Sequence, residues 1–109
     1  MVILLSLQKR ILMHVISKRI LKKYWEKHND SEQQLTTWFS ETKNAIWRTP
    51  NDIKKEYVKA SIIGDNRVVF NICGNKYRLV VKINYERGWV FIKFIGTHKE
   101  YDKIDPEKI

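Results

Sequence analysis

Between residues 67 and 95, apolar and polar positions alternate in three short runs that are separated by turn signals. Gly74 with Asn75, and Arg87 with Gly88, suit tight turns that need positive φ, so the pattern predicts three antiparallel strands joined as a meander. Neighbouring side chains of a strand point to opposite faces, so the side chains of one face can pack in the core while those of the other face bind a ligand. The predicted core face comprises Val68, Phe70, Ile72, Tyr77, Leu79, Val81 and Ile83, and the opposite face comprises Arg67, Asn71, Arg78 and Lys82.

Upstream of the meander, apolar positions recur at helical spacing in two segments. The first predicted helix starts after Ser17 as its N-cap and runs to about His28, with a lysine-rich face that can be either solvated surface or an RNA contact. Asp30 and Gln33 resemble a capping box for a second helix that reaches about Trp47 and carries an aromatic core stripe. A short third helical turn after Asn51 and short strands at 14–16 and 61–63 complete an α+β pattern.

The chain is strongly basic, with 21 Lys and Arg against 12 Asp and Glu and a pI near 9.7. Residues 1–28 carry seven basic side chains and one acidic, and residues 67–96 carry six and one. Such blocks are expected for a polyanion partner, since neutralised phosphates release counterions. An anionic membrane surface or an acidic protein would accept the same charge, so charge alone leaves three partner classes open.

The single cysteine, Cys73, cannot form an intramolecular disulfide, and no Cys and His spacing resembles a zinc site. We therefore expect a cytoplasmic protein without a metal or another cofactor. No apolar run approaches the roughly 20 residues that span a bilayer, and Lys9 and Arg10 follow the apolar start without a cleavage site. We expect residues 1–12 to be a dispensable extension and residues 13–109 to form one domain.

Arg78 is informative because it lies in the middle of a predicted strand, and a buried charge is costly unless it is paired. A guanidinium suits bidentate contact with phosphate oxygens. An internal partner such as Glu86 would explain the same position. For Lys82 and Lys93, phosphate binding and plain surface exposure are about equally good explanations.

The segment THKEYD, residues 97–102, follows the last predicted strand and can fold back across the sheet. Histidine ordinarily titrates near neutrality, so His98 is a candidate for proton transfer, although an isolated histidine is more often a surface residue. In a helical turn Tyr101 would lie on the same side as His98. Packing of the Tyr101 ring on the core edge is the competing explanation.

The run NRVVFNICGNKYRLVVKINY, the closing GTHKEYDKID and the order of helices and meander closely resemble the HigB branch of the RelE/ParE toxin superfamily, over residues 13–105. The resemblance implies an α+β, RelE-like microbial-ribonuclease-type fold, with two N-terminal helices packed on an antiparallel sheet of three to five strands. It also implies a ribosome-dependent mRNA endoribonuclease of a type II toxin-antitoxin module. Such enzymes cleave without a metal, through attack of the RNA 2′-hydroxyl on the adjacent phosphate.

Under this resemblance, Arg78 is expected to stabilise transition-state charge, and His98 and Tyr101 to act as acid and base in an undecided order. Lys99 is expected either to support the phosphate or to lower the pKa of a neighbouring group. A helix-turn-helix antitoxin of the HigA type and mRNA on the ribosome are the implied partners. A toxin of the same superfamily that binds RNA, the ribosome or DNA gyrase without cutting is the alternative. The predicted RNA-binding residues are Arg67, Asn71, Lys76, Lys82 and Lys93.

Overall fold

The computed structural model describes residues 12–109 as an α+β domain, which confirms the α+β part of the predicted fold class. None of the helices in this range is long and apolar enough to cross a membrane. The predicted extension lies almost wholly outside the described residues. The helices are α1 (Lys18–Lys27), α2 (Glu32–Lys43), α3 (Pro50–Glu56) and α4 (His98–Tyr101), with a 3₁₀ turn at Asn29–Ser31. The strands are β1 (His14–Ile16), β2 (Ser61–Ile63), β3 (Arg67–Ile72), β4 (Tyr77–Asn84) and β5 (Trp89–Thr97).

The five strands form one sheet in the order β1-β5-β4-β3-β2. Strands β2 to β5 are antiparallel to their neighbours, as the alternation predicted, but β1 runs parallel to β5 with His14 opposite Trp89. The sheet is therefore mixed, and the expectation of a purely antiparallel sheet was wrong. A parallel pair needs a long crossover, and here the chain between β1 and β5 contains α1, α2, α3 and the other strands.

A β-bulge in β5 decides which residues face the same side of the sheet. Val81 is opposite Ile92 and Val80 is opposite Phe94, so Lys93 is an extra residue without a partner on β4. The bulge places Phe94 on the side of Val80, away from the helices. It also leaves the Lys93 side chain exposed.

The main core lies between the helices and one face of the sheet. Leu21 of α1 and Leu35 and Trp38 of α2 are buried in the same cluster as Phe70 and Leu79. The Trp38 ring meets the Phe70 ring edge to face at 5.4 Å between centroids. Burial of side chains of this size contributes about 1.5–3 kcal/mol each, so this layer fixes the sheet that carries the candidate site.

The two predicted helix starts differ from the structure in detail. Ser17 precedes α1 with φ of 76° and makes no side-chain capping hydrogen bond. Asp30 lies in the 3₁₀ turn before α2, and its carboxylate accepts hydrogen bonds from Lys76 and Tyr77 instead of capping the helix. A partner distant in sequence has thus displaced the local capping interaction.

Helix α2 ends at Lys43, four residues before the predicted end. The chain then becomes irregular, and Trp47 inserts into the core with only 2 % of its surface exposed. Helix α3 is capped by Thr49, which exchanges hydrogen bonds with Asp52 in a capping box, rather than by Asn51 as predicted. Proline at the first helical position of α3 supports this start, because its missing N–H is not needed there.

The C-terminal segment 102–109 folds back towards the start of β3. The Arg67 guanidinium donates a hydrogen bond to the main-chain oxygen of Ile109, at the end of that segment. Val69 and Val80 belong to the sheet face opposite the helices, yet they are only 3 % and 0 % exposed. The middle of this second face is therefore covered by side chains rather than open to solvent.

Candidate active site

Arg78 and Tyr101 meet on the sheet face that lies away from α1 and α2. The guanidinium carbon of Arg78 lies 5.9 Å from the centroid of the Tyr101 ring, and its Nη1 donates a 3.0 Å hydrogen bond to the Asn75 carbonyl. Arg78 is paired in register with Asn71 on one side and Gly96 on the other. A cation over an aromatic face is mutually attractive, so the Arg78 head group is held beside the phenol.

Helix α4 holds His98, Lys99 and Tyr101 next to the end of the sheet. The side chain of Thr97 accepts a 3.2 Å hydrogen bond from the Glu100 amide, and the Glu100 carboxylate accepts a 2.7 Å hydrogen bond from the Thr97 amide. This reciprocal capping box lowers the pKa of the Glu100 carboxyl, chiefly through the Thr97 N–H. The His98 amide also donates to the Lys76 carbonyl at 3.0 Å, which ties the turn to the start of β4.

The His98 imidazole is paired with a carboxylate one helical turn further on. Its Nδ1 lies 3.2 Å from Asp102 Oδ2, and both side chains are exposed to solvent. The carboxylate lies on the Nδ1 side of the ring, so Nε2 points away from it. Lys99, the neighbouring residue, is also exposed.

Arg67 lies on the predicted face of the sheet, opposite Lys82, but it is not free to bind a ligand as we expected. It is buried with 5 % of its surface exposed, and its guanidinium pairs with Asp65 at 2.6 Å and with the Ile109 carbonyl. The cause is the returning C-terminal segment, which covers this edge of the face. This placement removes Arg67 from the residues that we propose for RNA binding. Lys82, its partner in register, reaches the same Asp65 carboxylate at 3.5 Å and is partly exposed.

The other predicted binding residues differ in how close they lie to Arg78 and in whether their side chains are already paired. Asn71 lies opposite Arg78, so the two share a face, and Lys93 is exposed in the bulge of β5. Lys76 adjoins α4 through its carbonyl, but its ammonium group forms an ion pair with Asp30. That pair raises the pKa of Lys76 and lowers the pKa of the Asp30 carboxyl.

A cluster of aromatic and ionisable side chains lies close enough to α4 for the Glu100 charge to act on it, and the sequence analysis did not find this cluster. His28 stacks on Tyr24 with 4.2 Å between ring centroids, and both rings meet the buried Tyr77 edge to face. Burial, with a smaller contribution from the Glu100 charge, raises the pKa of Tyr24 to about 12. The residues come from α1, the loop after it, β4 and α4, and no local pattern links them.

The arrangement offers the groups that phosphodiester transfer needs. Arg78 provides a permanent positive charge in a fixed position, which suits the charge that develops on a phosphate in the transition state. Tyr101 and His98 lie three residues apart on one helical turn, and phenol and imidazole are side-chain types that serve as general acids and bases. Of the four predicted catalytic residues, the structure shows Arg78 in contact with Tyr101 and carries His98 and Lys99 on the same turn as Tyr101.

Comparison with known proteins identifies the family of this chain. Residues 31–104 match the family model of HigB toxins, described as the RelE-like toxic component of a toxin-antitoxin system. The mRNA interferase toxin HigB of Escherichia coli K12 is 28 % identical over 92 residues, which cover 83 % of this chain and 88 % of that protein. An mRNA interferase HigB of Escherichia coli O6:H1 is 26 % identical over 94 residues, 84 % of this chain and 91 % of the relative. Since the family match spans more than half of its length, the chain belongs to the HigB family of RelE-like toxins.

Proposed function

We propose that this protein is an mRNA endoribonuclease, the toxin of a type II toxin-antitoxin module, which cuts mRNA on the translating ribosome without a metal ion. The observation that carries the proposal is the Arg78 guanidinium beside Tyr101, with His98 on the same helical turn. Curated relatives that cover most of the chain are named mRNA interferases, which supports the same reaction.

In the proposed reaction the RNA 2′-hydroxyl attacks the adjacent phosphorus, the bond to the 5′-oxygen breaks, and a 2′,3′-cyclic phosphate and a 5′-hydroxyl form. Arg78 stabilises the negative charge on the phosphorane-like transition state. His98 and Tyr101 share the removal of the nucleophile's proton and the protonation of the leaving oxygen. Lys99 supports the phosphate, and Asp102 pairs with the Nδ1 side of His98.

The ribosome supplies what this small domain lacks for choosing a substrate. A chain of 109 residues has room for few base-reading contacts, so we propose that codons presented by the ribosome define the cutting site. The protein then acts in the cytoplasm, and its proposed inhibitor is a helix-turn-helix antitoxin of the HigA type.

The direct test is brief expression in cells without the antitoxin, followed by mapping of mRNA 5′ ends. We expect codon-linked cleavage by the wild type. Arg78→Ala, His98→Gln and Tyr101→Phe should each reduce the cleavage rate by about 10²- to 10³-fold, because each removes charge stabilisation or a proton-transfer group. Asp102→Asn should lower the rate less than His98→Gln does.

Two control variants remove the same chemical groups outside the candidate site, one a guanidinium and the other a phenol. Arg19→Ala removes an exposed arginine of α1, and Tyr85→Phe removes a phenol outside the site; both should cut like the wild type. Full cleavage by the folded site variants would contradict the proposed mechanism. Growth arrest with intact mRNA would instead support the alternative of a toxin that binds its target, such as DNA gyrase, without cutting.

A further inference from the structure

Two aromatic side chains at the start of β5 remain unexplained by the candidate active site. Trp89 is a large apolar residue with 37 % of its surface exposed, and Phe91 is half-buried beside it. Their rings meet edge to face with 6.2 Å between centroids. The other three tryptophans are buried or half-buried, so the exposure of Trp89 is not typical of this chain.

Trp89 and Phe91 lie on the same sheet face as Arg78. Phe91 is opposite Lys82 and Trp89 is opposite Asn84, while Arg78 lies four and six residues before these partners on β4. Even separations along a strand keep side chains on one face. At about 3.3 Å per residue, the two rings lie roughly 13 and 20 Å along the strand from Arg78, within reach of the same bound strand.

The charges around the two rings fit a nucleic acid. The Arg87 guanidinium lies 5.2 Å from the centroid of the Trp89 ring. Lys82 lies opposite Phe91 on the same face, although its ammonium group is 3.5 Å from the Asp65 carboxylate. Aromatic rings on a positively charged surface are how proteins bind single strands, because bases stack on the rings while cations contact phosphates. A phosphate group gives the Arg87 guanidinium a counter-charge beside the indole, which a purely apolar partner would not supply.

We propose that Trp89 and Phe91 form a stacking platform for the bases of the single-stranded mRNA, a few nucleotides from the bond that is cut. The platform deepens the proposed function and rests on it for the identity of the RNA. Arg87 contributes the phosphate contact and holds the indole ring in place. Because every base has a π face, the platform contributes affinity without codon preference.

The test compares the binding of two short oligonucleotides to the purified full chain. One carries 2′-O-methyl nucleotides, so that it cannot be cleaved, and the other has the same backbone with abasic sites. Trp89→Ala should weaken binding of the first oligonucleotide by roughly 5- to 100-fold, measured by fluorescence anisotropy. It should leave binding of the abasic strand unchanged, whereas Arg87→Gln should weaken both strands and flatten the salt dependence.

Further variants keep the result interpretable. Trp89→Phe retains an aromatic ring and should keep most of the affinity, while Trp89→Leu retains apolar bulk and should lose it. Ile62→Ala, which trims an exposed apolar side chain of β2, is the matched control and should bind like the wild type. Circular dichroism and thermal melting verify that each variant is folded.

The platform would be overturned if wild type, Trp89→Ala and Trp89→Leu bound the base-containing strand equally well. It would also be overturned if Trp89→Ala lost as much affinity for the abasic strand as for the base-containing strand. This outcome is independent of mRNA cleavage in cells. Cleavage by the wild type together with neutral Trp89 variants would leave the endoribonuclease proposal intact. Absence of cleavage would refute that proposal, and the binding comparison would still decide whether the rings stack on bases.

Discussion

The Tyr77 phenol donates a 2.6 Å hydrogen bond to the Asp30 carboxylate, across 47 positions of the chain. Tyr77 is the first residue of β4 and is only 2 % exposed, so the bond attaches the 3₁₀ turn before α2 to the strand that carries Arg78. The same carboxylate pairs with Lys76, whose carbonyl holds α4. One acidic side chain thereby connects the helical layer to both parts of the candidate active site.

We expect Tyr77→Phe to lower the thermal unfolding midpoint by about 5 °C, since it removes a hydrogen bond to a charged acceptor and keeps the buried ring. Differential scanning calorimetry measures the shift. Tyr85→Phe is the control, because the Tyr85 phenol lies outside this network and its loss should change the midpoint less. An unchanged midpoint in Tyr77→Phe would show that the bond contributes nothing to stability.

The stability of the protein should fall in acid partly through Asp30. The hydrogen bond from Lys76, followed by the one from Tyr77, holds the pKa of the Asp30 carboxyl below its ordinary 3.8. A carboxyl with a lowered pKa stabilises the fold fully above 3.8, and this contribution disappears as the pH falls through the pKa of the folded state.

Asp30→Asn should therefore be less stable than the wild type at neutral pH, and the two stability curves should converge as the pH drops below about 4. Urea unfolding at a series of pH values from about 2 to about 7 measures both curves, because carboxyl groups titrate within this range. Some acid dependence should remain in the variant, because Asp52, Asp65 and Glu100 also have lowered pKa values. Parallel curves would show that Asp30 is not the group that titrates.

Arg67 should stabilise the C-terminal segment rather than bind RNA. We expect Arg67→Met, which keeps the buried stem, to lose about 2 kcal/mol of unfolding free energy, since it removes charged hydrogen bonds at a buried position. Limited trypsin digestion should then cut faster at Lys103 and Lys108 as the segment detaches. Lys82→Met should lose much less stability, because the Lys82 pair with Asp65 is exposed to solvent.

If folded Arg67→Met protein failed to cut mRNA while its C-terminal segment stayed protected from trypsin, the structural role of Arg67 would be contradicted. The original prediction of an RNA contact would then regain support. Retained cleavage with a loosened segment is the result that we expect.

Local patterns predicted much of the sheet and much less of the site. Alternation in β3 and β4 and turn signals such as Gly88 depend on neighbours in sequence, and the structure confirms them. The parallel pairing of β1 and the burial of Arg67 depend on segments far apart in the chain. The same is true of Asp30, whose predicted role as a helix cap was displaced by Tyr77.

The pairing of His98 with Asp102 is the contact in the candidate site that could have been predicted from the sequence. Residues four apart on a helix face each other, so THKEYD already contained the imidazole and its carboxylate partner. The contact of Arg78 with Tyr101 could not be predicted in this way, because it depends on how α4 turns back over β4.

Gly96 should be required for the geometry of the site. It is paired with Arg78, and a Cβ atom there would lie 2.5 Å from the Phe94 ring and 2.9 Å from the Glu100 carboxylate. Phe94 packs against Tyr101 with 6.4 Å between centroids, so moving its ring displaces the phenol, and moving Glu100 disturbs the capping box of α4.

We expect Gly96→Ala to cost about 1–3 kcal/mol of stability and to lower mRNA cleavage at least tenfold. Gly64→Ala is the matched control. The three atoms nearest to its Cβ would all belong to the flexible end of the Glu107 side chain, so stability and cleavage should stay close to wild type. Equal activity of the two alanine variants in the 5′-end assay would show that close packing at Gly96 does not position Tyr101.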